Sequence, residues 1–76
     1  MIDAAKVGRQ IADLRKVKGL TQSQLGERLN ISFQAVSKWE RGLAKPRADK
    51  LPQLAKLYGC TIEELLADDV DEVEDQ

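Results

Sequence analysis

The side chains best suited to chemistry in this sequence lie in residues 32–41, which read SFQAVSKWER. Gln34 and Lys38 are four residues apart, so a helix would place both on one face. A glutamine amide can pair with adenine through two hydrogen bonds, and a lysine ammonium can donate to O6 and N7 of guanine. Phe33 could pack on a thymine methyl, or instead against a neighbouring loop or a dimer partner. These groups bind and discriminate surfaces; they do not break bonds.

The same segment carries a second set of polar side chains. If Val36 and Trp39 face inward, then Ser32, Ser37 and Arg41 remain on the outward face. Ser37 lies among the candidates for base contact. Ser32 is better placed as a helix cap, and its hydroxyl could also contact a phosphate. Lys38 and Arg41, taken alone, could also be ordinary solvated charges.

Catalytic and metal chemistry are disfavoured by what the sequence lacks. Its 76 residues contain no histidine and a single cysteine, Cys60. One thiol can form neither an intramolecular disulfide nor a closed zinc site, and no Ser–His or Cys–His pair is possible. We therefore expect no enzymatic activity, no metal and no cofactor, and we interpret Cys60 as a small buried apolar residue.

The sequence indicates neither a membrane span nor a secretory leader. No apolar run approaches the roughly 20 residues that a span requires, and no apolar core follows Met1. A lone thiol is typical of a reducing compartment. We expect a cytoplasmic protein without membrane contact.

Charge is distributed unevenly along the chain. Residues 1–67 carry twelve Lys and Arg against seven Asp and Glu, a net charge of +5, whereas residues 68–76 carry six acids and no base, a net charge of −6. We expect one domain over 1–67 and an acidic C-terminal tail over 68–76. A basic body with an acidic end is a cue for contact with nucleic acid.

The tail allows two interpretations. Ile62, Leu66, Val70 and Val73 follow helical spacing, so the last helix could extend into the tail and form a dimer seam. Alternatively, six acids in nine residues repel one another and leave a solvated tail.

Apolar spacing and helix breakers predict an all-α fold, a compact five-helix bundle without strands. In the first helix, Val7, Ile11 and Leu14 form one apolar stripe. The predicted helices cover about 3–18, 22–29, 32–41 and 49–58, and a fifth begins near 61.

Capping residues predict where these helices begin. Asp3 and Asp49 are expected as the N-caps of the first and fourth helices, and Pro52 then falls in the first turn of the fourth. Capping boxes at 21–24 (TQSQ) and 61–64 (TIEE) are expected to open the second and fifth helices.

The second and third helices must cross steeply, because only a tight turn joins them. Such a crossing requires a small residue where the helices touch, and Gly26 fits, although a mid-helix glycine costs about 1 kcal/mol relative to alanine. Asn30 tolerates the positive φ that the turn requires. The apolar positions of the crossing are filled by Leu25, Leu29, Ile31, Val36 and Trp39.

Three blocks of sequence carry a family resemblance: VGRQIADLRKVKGLTQSQL, SFQAVSKWERG and LAKLYGCTIEELL. On these blocks, residues 7–66 resemble the lambda-type repressors and Cro proteins, the Xre family of helix-turn-helix proteins. Two positions depart from the family pattern. Asn30 stands where glycine is common, and Gly26 stands where alanine is usual; both keep the small or φ-tolerant character.

The resemblance implies a sequence-specific DNA-binding transcriptional regulator, most simply a repressor. Its recognition helix, about 32–41, would enter the major groove of double-stranded DNA. One such domain reads only a few base pairs, so a homodimer on a near-palindromic operator is expected. A protein-interaction module of the same fold, or the antitoxin of a toxin–antitoxin pair, is the alternative.

Further residues fit contacts with the DNA backbone. Gln22 begins the second helix, where N–H groups and a side-chain amide can hold a phosphate. The other candidates for the backbone are Ser32, Arg41, Lys45, Arg47, Arg9 and Lys18.

In proteins that this chain resembles, an arginine of the first helix pairs with the glutamate that ends the recognition helix. Here the matching residues are Arg15 and Glu40. The resemblance implies a structural ion pair between them; otherwise the two are unrelated surface charges.

Overall fold

The computed structural model describes residues 3–66, and within them every regular element is helical. The five α-helices are α1 Ala4–Val17, α2 Gln22–Leu29, α3 Phe33–Glu40, α4 Leu51–Tyr58 and α5 Ile62–Leu65. A 3₁₀ turn at Ala48–Lys50 leads into α4. The all-α, five-helix prediction is confirmed. The residues proposed to continue α5, Val70 and Val73, lie outside those described.

Side-chain caps set the first, second and fifth helices as expected. The carboxylate of Asp3 accepts a hydrogen bond from the Ala5 N–H at 2.9 Å. At α2, the Gln24 N–H donates to Thr21 Oγ1 at 3.0 Å, and the Thr21 N–H donates to Gln24 Oε1 at 2.8 Å. The same reciprocal box opens α5. These bonds satisfy N–H groups that a helix start leaves without partners.

The predicted start of the fourth helix is wrong. Asp49 is not an N-cap, because it lies inside the 3₁₀ turn, which begins after the extended Arg47. Pro52 explains the difference: it lies in the first turn of α4 as predicted, but it has no N–H to bond to the Ala48 carbonyl. That carbonyl accepts from the Leu51 N–H instead, which is the shorter 3₁₀ pattern.

One apolar core joins all five helices. Its residues are Val7, Ile11, Leu25, Leu29, Val36, Trp39, Leu54, Tyr58 and Leu65. The Tyr58 hydroxyl donates to the Ile11 carbonyl oxygen at 3.1 Å, which satisfies the buried phenol and ties α4 to α1. Cys60 is only half-buried against this core, less than expected, and burial raises the pKa of its thiol.

The close approach of α1 to α3 depends on Gly8. A Cβ at this position would lie 2.0 Å from the Trp39 carbonyl oxygen and 3.1 Å from that of Glu40. Only glycine therefore lets the middle of α1 approach the C-terminal end of α3 this closely. In the part of the chain that the structure describes, no helix is long and apolar enough to cross a membrane.

Candidate nucleic-acid interface

The turn between α2 and α3 has the geometry that its residues predicted. Asn30 ends α2 in the left-handed region, with φ 61° and ψ 43°. The Ile31 N–H donates to the Gly26 carbonyl oxygen at 2.9 Å. A Cβ on Gly26 would lie 2.7 Å from the Ile31 carbonyl oxygen, so alanine would not fit without a backbone shift. Local backbone chemistry thus fixes how α3 leaves α2.

The third helix buries one face and exposes the other. Val36 and Trp39 lie in the core, as predicted. Gln34 and Lys38 are exposed, and Phe33 is 50 % exposed although it is large and apolar. All four side chains proposed for base contact lie on this helix. Three of them are exposed, and the fourth, Ser37, is half-buried.

Two of the polar residues around α3 also serve the helix itself. The Ser32 hydroxyl accepts from the Ala35 N–H at 3.2 Å, so Ser32 is the N-cap. Arg41 Nε donates to Ser37 Oγ at 3.1 Å. This bond leaves the terminal nitrogens of the guanidinium available, and it leaves the Ser37 hydroxyl a proton to donate.

Arg15 and Glu40 lie in contact. Arg15 Nε is 2.6 Å from Glu40 Oε2, and Arg15 Nη2 is 3.0 Å from Oε1. Only 13 % of the arginine side chain and 7 % of the glutamate side chain are exposed. The hydrogen bonds to Glu40 raise the pKa of the Arg15 guanidinium. A third bond, from Nη1 to the Leu20 carbonyl oxygen at 2.8 Å, also holds the loop after α1.

A third residue, Gln22, bonds to this pair, and no motif in the sequence predicted the contact. Gln22 Nε2 donates to Glu40 Oε1 at 2.9 Å. Gln22, proposed as a phosphate contact, is therefore half-buried and already bonded to the end of α3. Eighteen residues separate the two, and no local pattern pairs them.

The remaining backbone candidates are exposed cations around this framework. Arg9, Lys18, Arg41 and Lys45 are all exposed. Arg47 is also exposed, with Nε 3.5 Å from Asp49 Oδ1 in a pair that is open to solvent. Lys50, which was not a candidate, donates from Nζ to the Leu29 carbonyl oxygen at 2.8 Å and so caps the C-terminal end of α2.

Two short helices crossing through a tight turn, with an exposed polar face on the second, define a helix-turn-helix domain. Comparison with known families agrees. The family model described as Helix-turn-helix matches residues 11–65, and the chain belongs to this family.

Relatives and solved structures of regulators resemble the chain. It is 43 % identical over 58 residues to the HTH-type transcriptional activator BcrR of Enterococcus faecalis, an alignment that covers 76 % of this chain and 28 % of BcrR. The P22 c2 repressor, solved in complex with a synthetic operator, superposes with a TM-score of 0.74 at 33 % identity, covering 79 % of this chain and 91 % of that one. The restriction-modification controller protein C.AhdI of Aeromonas hydrophila gives a TM-score of 0.75 at 28 % identity, with 83 % and 91 % covered.

The similarity reaches only part of each curated relative. The chain spans 28 % of BcrR, and it spans 50 % of the transcriptional regulator ImmR of Bacillus subtilis. The shared portion is the helix-turn-helix domain, so the similarity concerns that domain and not the whole of those proteins.

Proposed function

We propose that this chain is a sequence-specific DNA-binding transcriptional regulator that inserts α3 into the major groove. The observation that carries the proposal is the exposed Phe33, Gln34 and Lys38 on a helix whose opposite face is locked into the core. An α-helix fits the major groove of B-DNA, where each base pair presents a distinct pattern of donors and acceptors.

Each group on this face has a proposed role. Gln34 is assigned to adenine, Lys38 to guanine, and Phe33 to a thymine methyl, with Ser37 as a further base contact. The proposed phosphate contacts are Gln22, Ser32, Arg41, Lys45, Arg47, Arg9 and Lys18. The five Lys and Arg side chains among them supply the sequence-independent part of the affinity, and they make it dependent on salt.

A homodimer on a near-palindromic operator is part of the proposal. One domain contacts too few base pairs to select a site in a genome, whereas two domains double the site. Their recognition helices would lie about 34 Å apart, one turn of DNA. Repression is the proposed outcome of binding. The support is the P22 C2 repressor, which is a repressor by name and is 33 % identical over 84 % of this chain. We assign the domain no catalytic role.

Selection from a random pool of DNA duplexes tests this function. The pool should yield a near-palindromic site whose half-site centres are about one helical turn apart. Titration of that site and of random DNA at two salt concentrations should then show an affinity ratio of at least about 10³. A pool that shows no enrichment would instead favour the alternative, an interaction module or antitoxin. A reporter placed behind the selected site distinguishes repression from activation.

A further inference from the structure

Gln22 holds its side-chain amide in a fixed orientation before any DNA is bound. Its Nε2 donates to Glu40 Oε1, and Arg15 occupies both oxygens of the same carboxylate. A carboxylate between such donors only accepts hydrogen bonds. The glutamine must therefore turn its NH₂ group, and not its carbonyl oxygen, toward Glu40.

An amide nitrogen carries two hydrogens, and Glu40 takes one of them. The second is donated to none of the residues that the structure describes, so it remains for an acceptor outside them. Gln22 is the first residue of α2, beside the capping box of Thr21, and it is half-buried. An ordered amide at this place can donate to a phosphate without first losing the rotational freedom of a free glutamine side chain.

We infer that Glu40 is a positioning residue for a phosphate contact made by Gln22, an inference that rests on the proposed function. Arg15 from α1 fixes Glu40 at the end of α3, and Glu40 fixes Gln22 at the start of α2. The phosphate contact and the placement of the recognition helix thereby depend on the same carboxylate.

The test measures the effect of Gln22→Ala on affinity for a random-sequence duplex in two backgrounds. One is the unmodified chain. The other carries Arg15→Met with Glu40→Leu, which removes both charges together and leaves neither one buried alone. We expect Gln22→Ala to weaken binding about tenfold in the first background and less than about threefold in the second. Lys45→Ala is the matched control, because it shares no partner with Glu40 and should cost the same in both.

The outcomes separate the inference from the function. Equal losses from Gln22→Ala in both backgrounds overturn the positioning role while DNA binding stands, and so does the absence of any loss in the unmodified chain. If the unmodified chain binds no duplex at all, the proposed function fails and the inference fails with it.

A measurement on the unmodified protein covers the case in which the double variant does not fold. The side-chain NH₂ of Gln22 should show a ¹⁵N order parameter near that of rigid backbone, about 0.85, whereas that of the exposed Gln34 should fall below about 0.6. Equal order parameters for the two side chains would overturn the inference.

Discussion

Arg15 in α1 and Glu40 at the end of α3 form a two-bond ion pair, with Nε–Oε2 at 2.6 Å and Nη2–Oε1 at 3.0 Å. The pair joins α1 to α3, the helix proposed to contact DNA. The same two helices make the close approach at Gly8, where a Cβ would meet the Trp39 and Glu40 carbonyl oxygens. Paired charges in fixed geometry contribute more than exposed ones, because water competes less for them. The pair therefore fixes where α3 ends relative to α1.

Replacing Arg15 and Glu40 by uncharged residues, singly and together, should show this coupling. We expect the double variant to lose less free energy of unfolding than the two single losses added together, by about 0.5–3 kcal/mol. Urea unfolding measures it. The matched control is the cycle on Arg47 and Asp49, whose side chains are 82 % and 61 % exposed and should couple by less than about 0.5 kcal/mol. Equal couplings for the two pairs would contradict the role given to Glu40.

Gln34→Ala and Lys38→Ala should each lower affinity for the selected site while leaving affinity for random DNA nearly unchanged. Each lost base contact should reduce discrimination by about 1–3 kcal/mol. Fluorescence titration against both duplexes measures the difference. The control is Lys56→Ala, which removes an exposed cation from α4 and should leave the discrimination between the selected site and random DNA unchanged. If both α3 variants keep full discrimination, another surface contacts the bases.

Gly8→Ala should destabilise the fold although alanine favours a helix by about 1 kcal/mol. The new Cβ would meet the Trp39 carbonyl oxygen at 2.0 Å, so α1 and α3 must separate, at a cost of about 1–3 kcal/mol or more. Gly19→Ala is the comparison: nothing lies within 4 Å of its Cβ, but φ is +73°, so only backbone strain of about 1 kcal/mol is expected. Urea unfolding that shows Gly8→Ala to be neutral would contradict the close approach.

The stability of the protein should fall above about pH 10 because of Tyr58. Burial raises the pKa of the Tyr58 phenol, and the nearby charge of Glu40 raises it further. An unfolded tyrosine ionises near pH 10, so above that pH the unfolded state releases a proton that the folded state keeps. The free energy of unfolding therefore falls by up to about 1.4 kcal/mol for each pH unit above 10.

Tyr58→Phe isolates this contribution from the titration of lysines. The variant loses the hydrogen bond to the Ile11 carbonyl oxygen, so it should be less stable by about 0.5–1.5 kcal/mol near neutral pH. Its disadvantage should shrink as pH rises through 10–11, since phenylalanine has no proton to lose. Unfolding curves at pH 8–11 measure the difference, and a constant gap over that range would contradict a raised pKa.

Truncation after Ala67 should strengthen binding to random DNA at low salt. It removes six acids, which changes the net charge from −1 to +5. An acidic segment repels the duplex, and its effect should weaken as salt rises, because screening shortens to about 8 Å at physiological ionic strength. The rival proposal, a dimer seam through Val70 and Val73, predicts weaker dimers and weaker binding to the operator. Titration of the full and truncated chains against random and operator DNA, with sedimentation to follow dimerisation, decides between them. Unchanged affinity for random DNA at low salt would exclude the electrostatic role.

The sequence alone determined the features that depend on neighbouring residues. Five helices, the caps at Asp3 and Ser32, and the turn at Gly26 and Asn30 follow from local backbone chemistry. The exposed face of α3 follows from helical spacing once Val36 is placed inward. The residues that produce each cap, turn or helix lie within a few positions of it in the chain, so these features can be recognised in the sequence.

The pairing of Arg15 with Glu40 was expected from the family resemblance, but only the tertiary structure decided the other contacts between residues that are distant in sequence. Lys50 caps α2 across 21 residues, and Gln22 bonds Glu40 across 18. The requirement for glycine at position 8 exists only because the Trp39 carbonyl lies against it. Asp49 failed as a cap because the missing N–H of Pro52 changed the hydrogen bonding at Ala48, one turn earlier. Such relationships depend on which surfaces meet when the core closes, and spacing along the chain does not record them.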